Sequence, residues 1–129
     1  MTHILLIEPD LLLARSYYDA LKTAGHVVTA VPSAQAAVLA ADESKPDIVI
    51  MEVQLVGHSG IEFLYEFRSY ADWQQVPLII HTVVPPNEFA GARDLLMREM
   101  GVTLYLYKPQ TSLKKLLRSV AELVPLDIR

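Results

Sequence analysis

Acidic, hydroxyl and basic side chains stand at the ends of four short apolar runs in this 129-residue chain. Glu8 and Asp10 follow Ile4-Leu5-Leu6-Ile7, and Glu52 follows Ile48-Val49-Ile50-Met51. His81 and Thr82 close a run that starts at Pro77, and Lys108 closes one that starts at Val102. If the runs are neighbouring strands, three carboxylates, a hydroxyl and an ammonium converge on one edge of a sheet. Two carboxylates about 4 Å apart repel by about 4 kcal/mol at an effective dielectric of about 20. Such a cluster needs a cation, either Lys108 or a bound divalent metal. The plainer reading is that each strand ends in a polar residue as it leaves the core. The uninterrupted apolar stretches before Glu52 and Lys108 favour a functional edge instead.

The elements that must position these groups are visible as two alternating patterns. Ile4–Ile7, Val27–Val31, Ile48–Met51, Pro77–Ile80 and Val102–Leu106 have the length and β-branched content of strands buried on both faces. Between them lie stretches with helical spacing. Asp10 is placed to cap a first helix that stops at Gly25, with Ala14, Tyr17, Leu21 and Ala24 inward. A second runs from Ser33 towards Glu43, burying Ala34, Ala37, Val38 and Ala41. A third runs from Ser59 to Tyr70 and lines up Ile61, Leu64, Tyr65 and Arg68. A fourth follows Pro85-Pro86-Asn87 and ends at Gly101. A fifth starts at Ser112, with Leu113, Leu116, Leu117, Val120 and Leu123 on one face. Strands alternating with helices predict an open, doubly wound, five-stranded parallel sheet with helices on both faces. In that architecture function sits beyond the carboxyl ends of the strands.

Composition narrows the classes. At this length one domain spanning 1–129, with no output domain, is the expectation, and about two-thirds of the unfolded surface can be buried. The chain has no cysteine, so thiolate zinc sites, disulfide scaffolds and cysteine nucleophiles are excluded. A formal net charge of −4 argues against direct nucleic-acid binding. No apolar run approaches the ~20 residues needed to span a bilayer, and no signal peptide is evident, which fits a cytoplasmic protein. Gly57-His58-Ser59-Gly60 lacks the serine-to-glycine spacing of a hydrolase nucleophile elbow. No Walker loop or dinucleotide fingerprint is present.

The polar groups lie in segments that resemble the response-regulator receiver domain of two-component signalling. Ile4-Leu5-Leu6-Ile7-Glu8-Pro9-Asp10 resembles its first strand and acidic pair, and Pro46-Asp47-Ile48-Val49-Ile50-Met51-Glu52 its third strand and phosphoacceptor. Gly57-His58-Ser59-Gly60 resembles the loop that follows. Pro77-Leu78-Ile79-Ile80-His81-Thr82 resembles the fourth strand and its switch hydroxyl, and Tyr105-Leu106-Tyr107-Lys108-Pro109 the switch aromatic and lysine. The resemblance implies a flavodoxin-like strand order, 2-1-3-4-5. It also implies an aspartate that takes a phosphoryl group from a histidine kinase, and acidic residues that hold Mg²⁺. The lysine and hydroxyl would receive the phosphoryl oxygens, and Thr82 and Tyr105 would form the switch pair. Partners (a kinase, an output protein or a second copy in a homodimer) would meet the face of the fourth predicted helix, the fifth strand and the fifth predicted helix.

The chain departs from that pattern at the chemistry. Glu52 stands at the phosphoacceptor position, and Pro9 replaces one member of the acidic pair. Val56, Val83 and Gln110 replace residues usual in the family, and the stretch after Thr82 is longer. The extra methylene moves the Glu52 carboxylate by roughly 1.5 Å, into the space a phosphoryl group would fill. There it can pair with Lys108 and accept from Thr82, imitating the phosphorylated state with a smaller charge. Only Glu8 and Glu52, with the Gln54 backbone, remain as weak Mg²⁺ candidates, and Val83 narrows the pocket. The acidic pocket is thus Glu8, Asp10 and Glu52.

The expected function is an atypical receiver, not an enzyme. It acts as a protein–protein interaction module in phosphorelay-type signalling, with no cofactor or only weak Mg²⁺. The alternatives are a Mg²⁺-dependent receiver switched by a histidine kinase and a flavodoxin-like cofactor binder. The acidic loop Glu8-Pro9-Asp10 repels the phosphate that such a binder requires. His81 is expected to be a packed core histidine. Lys114, Lys115 and Arg118 form a basic stripe that is either solvated or a partner surface. Tyr65, Phe67, Tyr70 and Trp73 are expected mostly to cover the core edge.

Overall fold

A computed structural model describes residues 1–55, 59–92 and 94–124. Its sheet has five strands: β1 (His3–Ile7), β2 (Val27–Val31), β3 (Ile48–Met51), β4 (Leu78–Thr82) and β5 (Leu104–Tyr107). All pairings are parallel, in the order β2-β1-β3-β4-β5. The regular helices are α1 (Leu11–Thr23), α2 (Ala34–Glu43), α3 (Gly60–Ser69) and α4 (Leu113–Leu123).

Local chemistry starts each helix where expected. Asp10 accepts from the amides of Leu12 and Leu13, Ser33 from Ala36, Ser59 from Glu62 and Ser112 from Lys115. Each satisfies an N–H that has no partner within its own helix. Gly25 follows α1 at φ 101°, a left-handed conformation suited to glycine.

The alternation of side chains along the strands splits the core into two layers. On one face Leu5, Ile7, Val49, Met51, Leu78 and Ile80 pack against the alanines of α2 and Phe63, Leu64 and Phe67 of α3. On the other, Ile4, Leu6, Ile48, Ile50 and Ile79 pack against Leu21 of α1 and Leu116 and Val120 of α4. β2 lies at the sheet edge and departs from the expectation of two buried faces: Val27 is 47% exposed.

Three expectations need correction. The inward face of α3 consists of Gly60, Phe63, Leu64 and Phe67, while Tyr65 is 50% exposed. The two phenylalanines carry far more apolar area than the half-polar Tyr65, and the helix turns to bury them. α1 ends at Thr23, leaving Ala24 as its exposed cap. The fourth predicted helix is not a regular α-helix: residues Pro86–Ala92 form a 3₁₀ helix and Leu95–Glu99 a π-helical turn. This segment is pinned at both ends. Tyr105 holds Val84 at its start, and Arg68 donates to the carbonyls of Met100 and Gly101 at its end. Gly91 lies between, where it costs about 1 kcal/mol relative to alanine in a helix.

Candidate functional site

The register of the sheet places the polar groups. Ile7, Met51, Ile80 and Tyr105 align across β1, β3, β4 and β5. The ladder runs one residue further, because Glu8 N donates to Val31 O and Glu52 N to Ile7 O. Glu8 and Glu52 therefore leave adjacent strands side by side. Both are 3% exposed, and Thr82 is fully buried.

The Glu52 carboxylate is surrounded by donors. Its Oε1 accepts from Lys108 Nζ at 2.8 Å and from Val83 N at 3.0 Å. Its Oε2 accepts from Val53 N at 2.7 Å, from Gln54 N at 3.1 Å and from Thr82 Oγ1. These five donors match or exceed the roughly four lone-pair sites of a carboxylate. Burial alone would raise the Glu52 pKa. The hydrogen bonds from Lys108, Thr82, Gln54 and Val83 outweigh it and lower the pKa below the ordinary value.

Lys108 bridges the two acids. Its Nζ lies 2.5 Å from Glu8 Oε1 and 2.8 Å from Glu52 Oε1, with 8% of the side chain exposed. Burial opposes its charge, but the hydrogen bonds and attraction of Glu52 and Glu8 prevail and raise its pKa. Glu8 Oε2 accepts from Asp10 N at 3.2 Å. The Asp10 side chain is turned to the start of α1, where its Oδ1 accepts from Leu12 N and Leu13 N at 3.0 Å each. Asp10 is thus a helix cap, and the structure does not bring its carboxylate onto Lys108.

Thr82 and Tyr105 are linked through one residue. Thr82 Oγ1, while donating to Glu52, accepts from Val84 N at 3.1 Å. Tyr105 OH donates to Val84 O at 2.7 Å. A continuous hydrogen-bonded path therefore runs from Lys108 through Glu52, Thr82 and Val84 to Tyr105. Burial, followed by the Glu52 and Glu88 charges, pushes the Tyr105 pKa up to about 12, so its hydroxyl remains a donor.

His81 and Tyr17 border the site on the α1 side, with rings edge to face and centroids 5.0 Å apart. Burial and the nearby Lys108 charge lower the His81 pKa to about 4, against a smaller opposing pull from Glu52. Burial, more than the surrounding charges, raises that of Tyr17. Gly60 lets α3 begin directly against the strand end. A Cβ there would lie 2.5 Å from Val53 Cα and 2.9 Å from Val53 O. Val83 is 45% exposed and enters the site through its amide. Val56, Gly57 and His58 lie outside the described residues.

The oxygens do not match the near-octahedral shell of Mg²⁺. Glu52 is saturated, Glu8 faces Lys108 and the Asp10 amide, and Asp10 is engaged at its helix. Pro9 supplies no carboxylate, and the Gln54 N–H donates to Glu52, so of the backbone group expected to assist a metal only the carbonyl is left. Among the described residues no group of three or more His, Asp or Glu is placed to hold a metal ion.

The sequence pointed to Glu8, Glu52, Thr82, Tyr105 and Lys108, which the fold brings together. It did not point to the amides of Val53 and Val83 or to Val84. Backbone groups leave no residue-type signal, and Val84 reads as one more apolar position.

Residues 4–121 match the family described as the response regulator receiver domain. This chain belongs to that family. The receiver domain is 30% identical over 108 residues to the KDP operon transcriptional regulatory protein KdpE of Escherichia coli, covering 79% of this chain and 47% of that protein. It is 34% identical over 79 residues to the two-component response regulator PhoP of Pseudomonas aeruginosa, covering 61% of this chain and 34% of that protein. The chain thus spans less than half the length of these curated relatives. Among solved structures, the chemotaxis response regulator CheY4 of Vibrio cholerae superposes with a TM-score of 0.83 at 20% identity, covering 95% of this chain and 98% of that one. The receiver domain shares that fold. No described helix is long and apolar enough to cross a membrane.

Proposed function

We propose that this receiver domain acts as a protein–protein interaction module in two-component signal transduction, without conventional phosphorylation. Glu52 stands in for the phosphorylated side chain. The observation that carries this reading is the position of its carboxylate, in contact with Lys108, Thr82 and the Val83 amide at once. These are a cation, a hydroxyl and an N–H, the donors that phosphoryl oxygens would require. Thr82 is drawn to Glu52 and Tyr105 is tied to Val84 with no added group at the site. Its carboxylate carries one negative charge, against the nearly two of a phosphoryl group.

The surface read by a partner is the segment 86–99 with β5 and α4, which shares Tyr105 with the path from Glu52. A kinase, an output protein or a second copy of the chain is the class of partner, in the cytoplasm, with no direct contact to nucleic acid. No enzymatic step and no Mg²⁺ is assigned to the domain.

The test is incubation with acetyl phosphate and Mg²⁺, read by intact mass. The expected mass is unchanged. A stoichiometric phosphoryl adduct on Glu52 would overturn the proposal. Phosphoryl transfer depends on in-line approach, and an oxygen already held by two or three donors is poorly placed to attack.

A further inference from the structure

We infer that Lys108 is the built-in cation of this site, in the place a divalent metal would take, and that Glu8 is the positioning residue that holds it there. The inference stands on the Glu8–Lys108–Glu52 geometry and is independent of whether Glu52 is ever phosphorylated.

Glu8 and Glu52 are buried neighbours, and their charges require a counter-ion. The ammonium supplies it directly. Its contacts of 2.5 Å to Glu8 Oε1 and 2.8 Å to Glu52 Oε1 place one Nζ between the two facing oxygens. Mg²⁺ binds oxygen at about 2.1 Å. An ion bridging the same two oxygens would overlap the space that Nζ fills. Lys108 and a metal are therefore alternatives, and the lysine is tethered whereas the metal must be captured from solution.

Pro9 and Asp10 tip the choice further. Proline contributes neither a carboxylate nor an N–H at this turn. Asp10 directs its side chain to α1 and offers Glu8 only its backbone N–H. That N–H holds Glu8 Oε2 and turns Oε1 towards the lysine. Glu8, a residue of the type that would ligate a metal, acts here through Lys108. It fixes the ammonium at the height where the carboxylate of Glu52, longer than aspartate by one methylene, can meet it.

The test uses Mn²⁺ as a paramagnetic probe, read as broadening of the backbone amide signals of Val53, Gln54 and Val83. In the unaltered chain these signals are expected to broaden no more than amides at the opposite end of the sheet. Selective broadening of the three would overturn the inference. Lys108→Met removes the cation and leaves two neighbouring carboxylates, so Mn²⁺ affinity is expected to rise by about tenfold or more. An unchanged affinity in a folded Lys108→Met chain would overturn the inference, because the loss of metal binding would then come from Pro9 alone.

If Lys108→Met does not fold, the Lys108 ammonium itself is followed by ¹⁵N NMR. Its signal is expected to be protected from exchange in the unaltered chain and indifferent to Mg²⁺. Glu8→Gln should abolish that protection and Glu8→Asp restore part of it. A signal displaced by Mg²⁺, or unmoved by Glu8→Gln, counts against the assignment. Metal binding without a phosphoryl adduct would defeat this inference and leave the proposed function standing. An adduct formed with Lys108 still in place would do the reverse.

Discussion

Tyr105 and Val84 are joined by a 2.7 Å hydrogen bond from the phenol to the backbone carbonyl, across the gap between β5 and the segment that leaves β4. Because Val84 N also donates to Thr82 Oγ1, the same residue receives the pull of Glu52 and passes it to the tyrosine. Tyr105→Phe keeps the ring and removes the donor. The Val84 carbonyl then loses its partner, and stability should fall by about 1 kcal/mol. Amide hydrogen exchange should quicken over residues 84–88 while β1 and β3 are unaffected. Uniform quickening across the sheet would mean that the hydroxyl serves overall stability rather than the local path.

Removing the negative charge at the other end of the path should cost more. Glu52→Gln keeps the length but points an NH₂ group at a shell made of donors. Breaking a buried charge pair costs about 3–5 kcal/mol, and Glu8 remains to hold Lys108, so a loss near about 3 kcal/mol is expected. Glu52→Asp retracts the carboxylate by one methylene. It should loosen the contacts to Thr82 and Val83 and shift the Tyr105 ring signals in NMR. Ring signals identical to those of the unaltered chain would show that Tyr105 does not respond to the acid.

The layered fold was legible because the signals for it are carried by residue type. Ile48-Val49-Ile50-Met51 has the length and β-branched content of a strand buried on both faces, and Asp10, Ser33 and Ser112 mark helix starts. The convergence of Glu8, Glu52, Thr82 and Lys108 followed from strand ends alone. Asp10 shows the limit of that argument: as a strand-end residue it counts towards the acidic pocket, but its place before the first helix also marks it as a cap, and the structure shows the cap. The segment 86–99 shows another. Its composition favours a helix, yet the residues that tie its two ends, Arg68 and Tyr105, lie elsewhere in the chain.

Acid should weaken the fold in two stages. Burial lowers the His81 pKa to about 4, from 6.5 when unfolded, so between these values the unfolded chain binds the extra proton. The contribution of His81 to stability is therefore present above pH 6.5 and is lost as pH drops towards 4. The lost stability approaches about 3 kcal/mol at about 1.4 kcal/mol per unit. His26, also lowered by burial, acts in the same direction. Glu52, whose pKa is depressed below 4.5, withdraws its contribution only at still lower pH. Urea midpoints measured across this range should lose most of their slope in His81→Gln. A slope that persists in this variant would assign the effect to another group.

Arg68 should govern the far end of the segment 86–99. Its guanidinium donates to three carbonyls, Met100 at 2.8 Å, Trp73 at 2.6 Å and Gly101 at 3.1 Å. Gly101, at φ 63°, presents its carbonyl there by adopting the left-handed conformation. Burial lowers the Arg68 pKa, yet a guanidinium stays charged across ordinary pH. Arg68→Met preserves much of the stem and removes the guanidinium from all three carbonyls, of which Trp73 O keeps the Val76 N–H. The loss should reach about 2 kcal/mol or more, because hydrogen bonds to a charged group are worth about 1.5–3 kcal/mol. Arg68→Lys should recover only part of it, since an ammonium cannot reproduce the planar fork. Exchange should quicken over residues 94–102 and leave the amides of Val53 and Gln54 protected. If those two amides lost protection to the same degree, the clamp and the Glu52 site would be a single cooperative unit, and the separate role argued for Arg68 would fail.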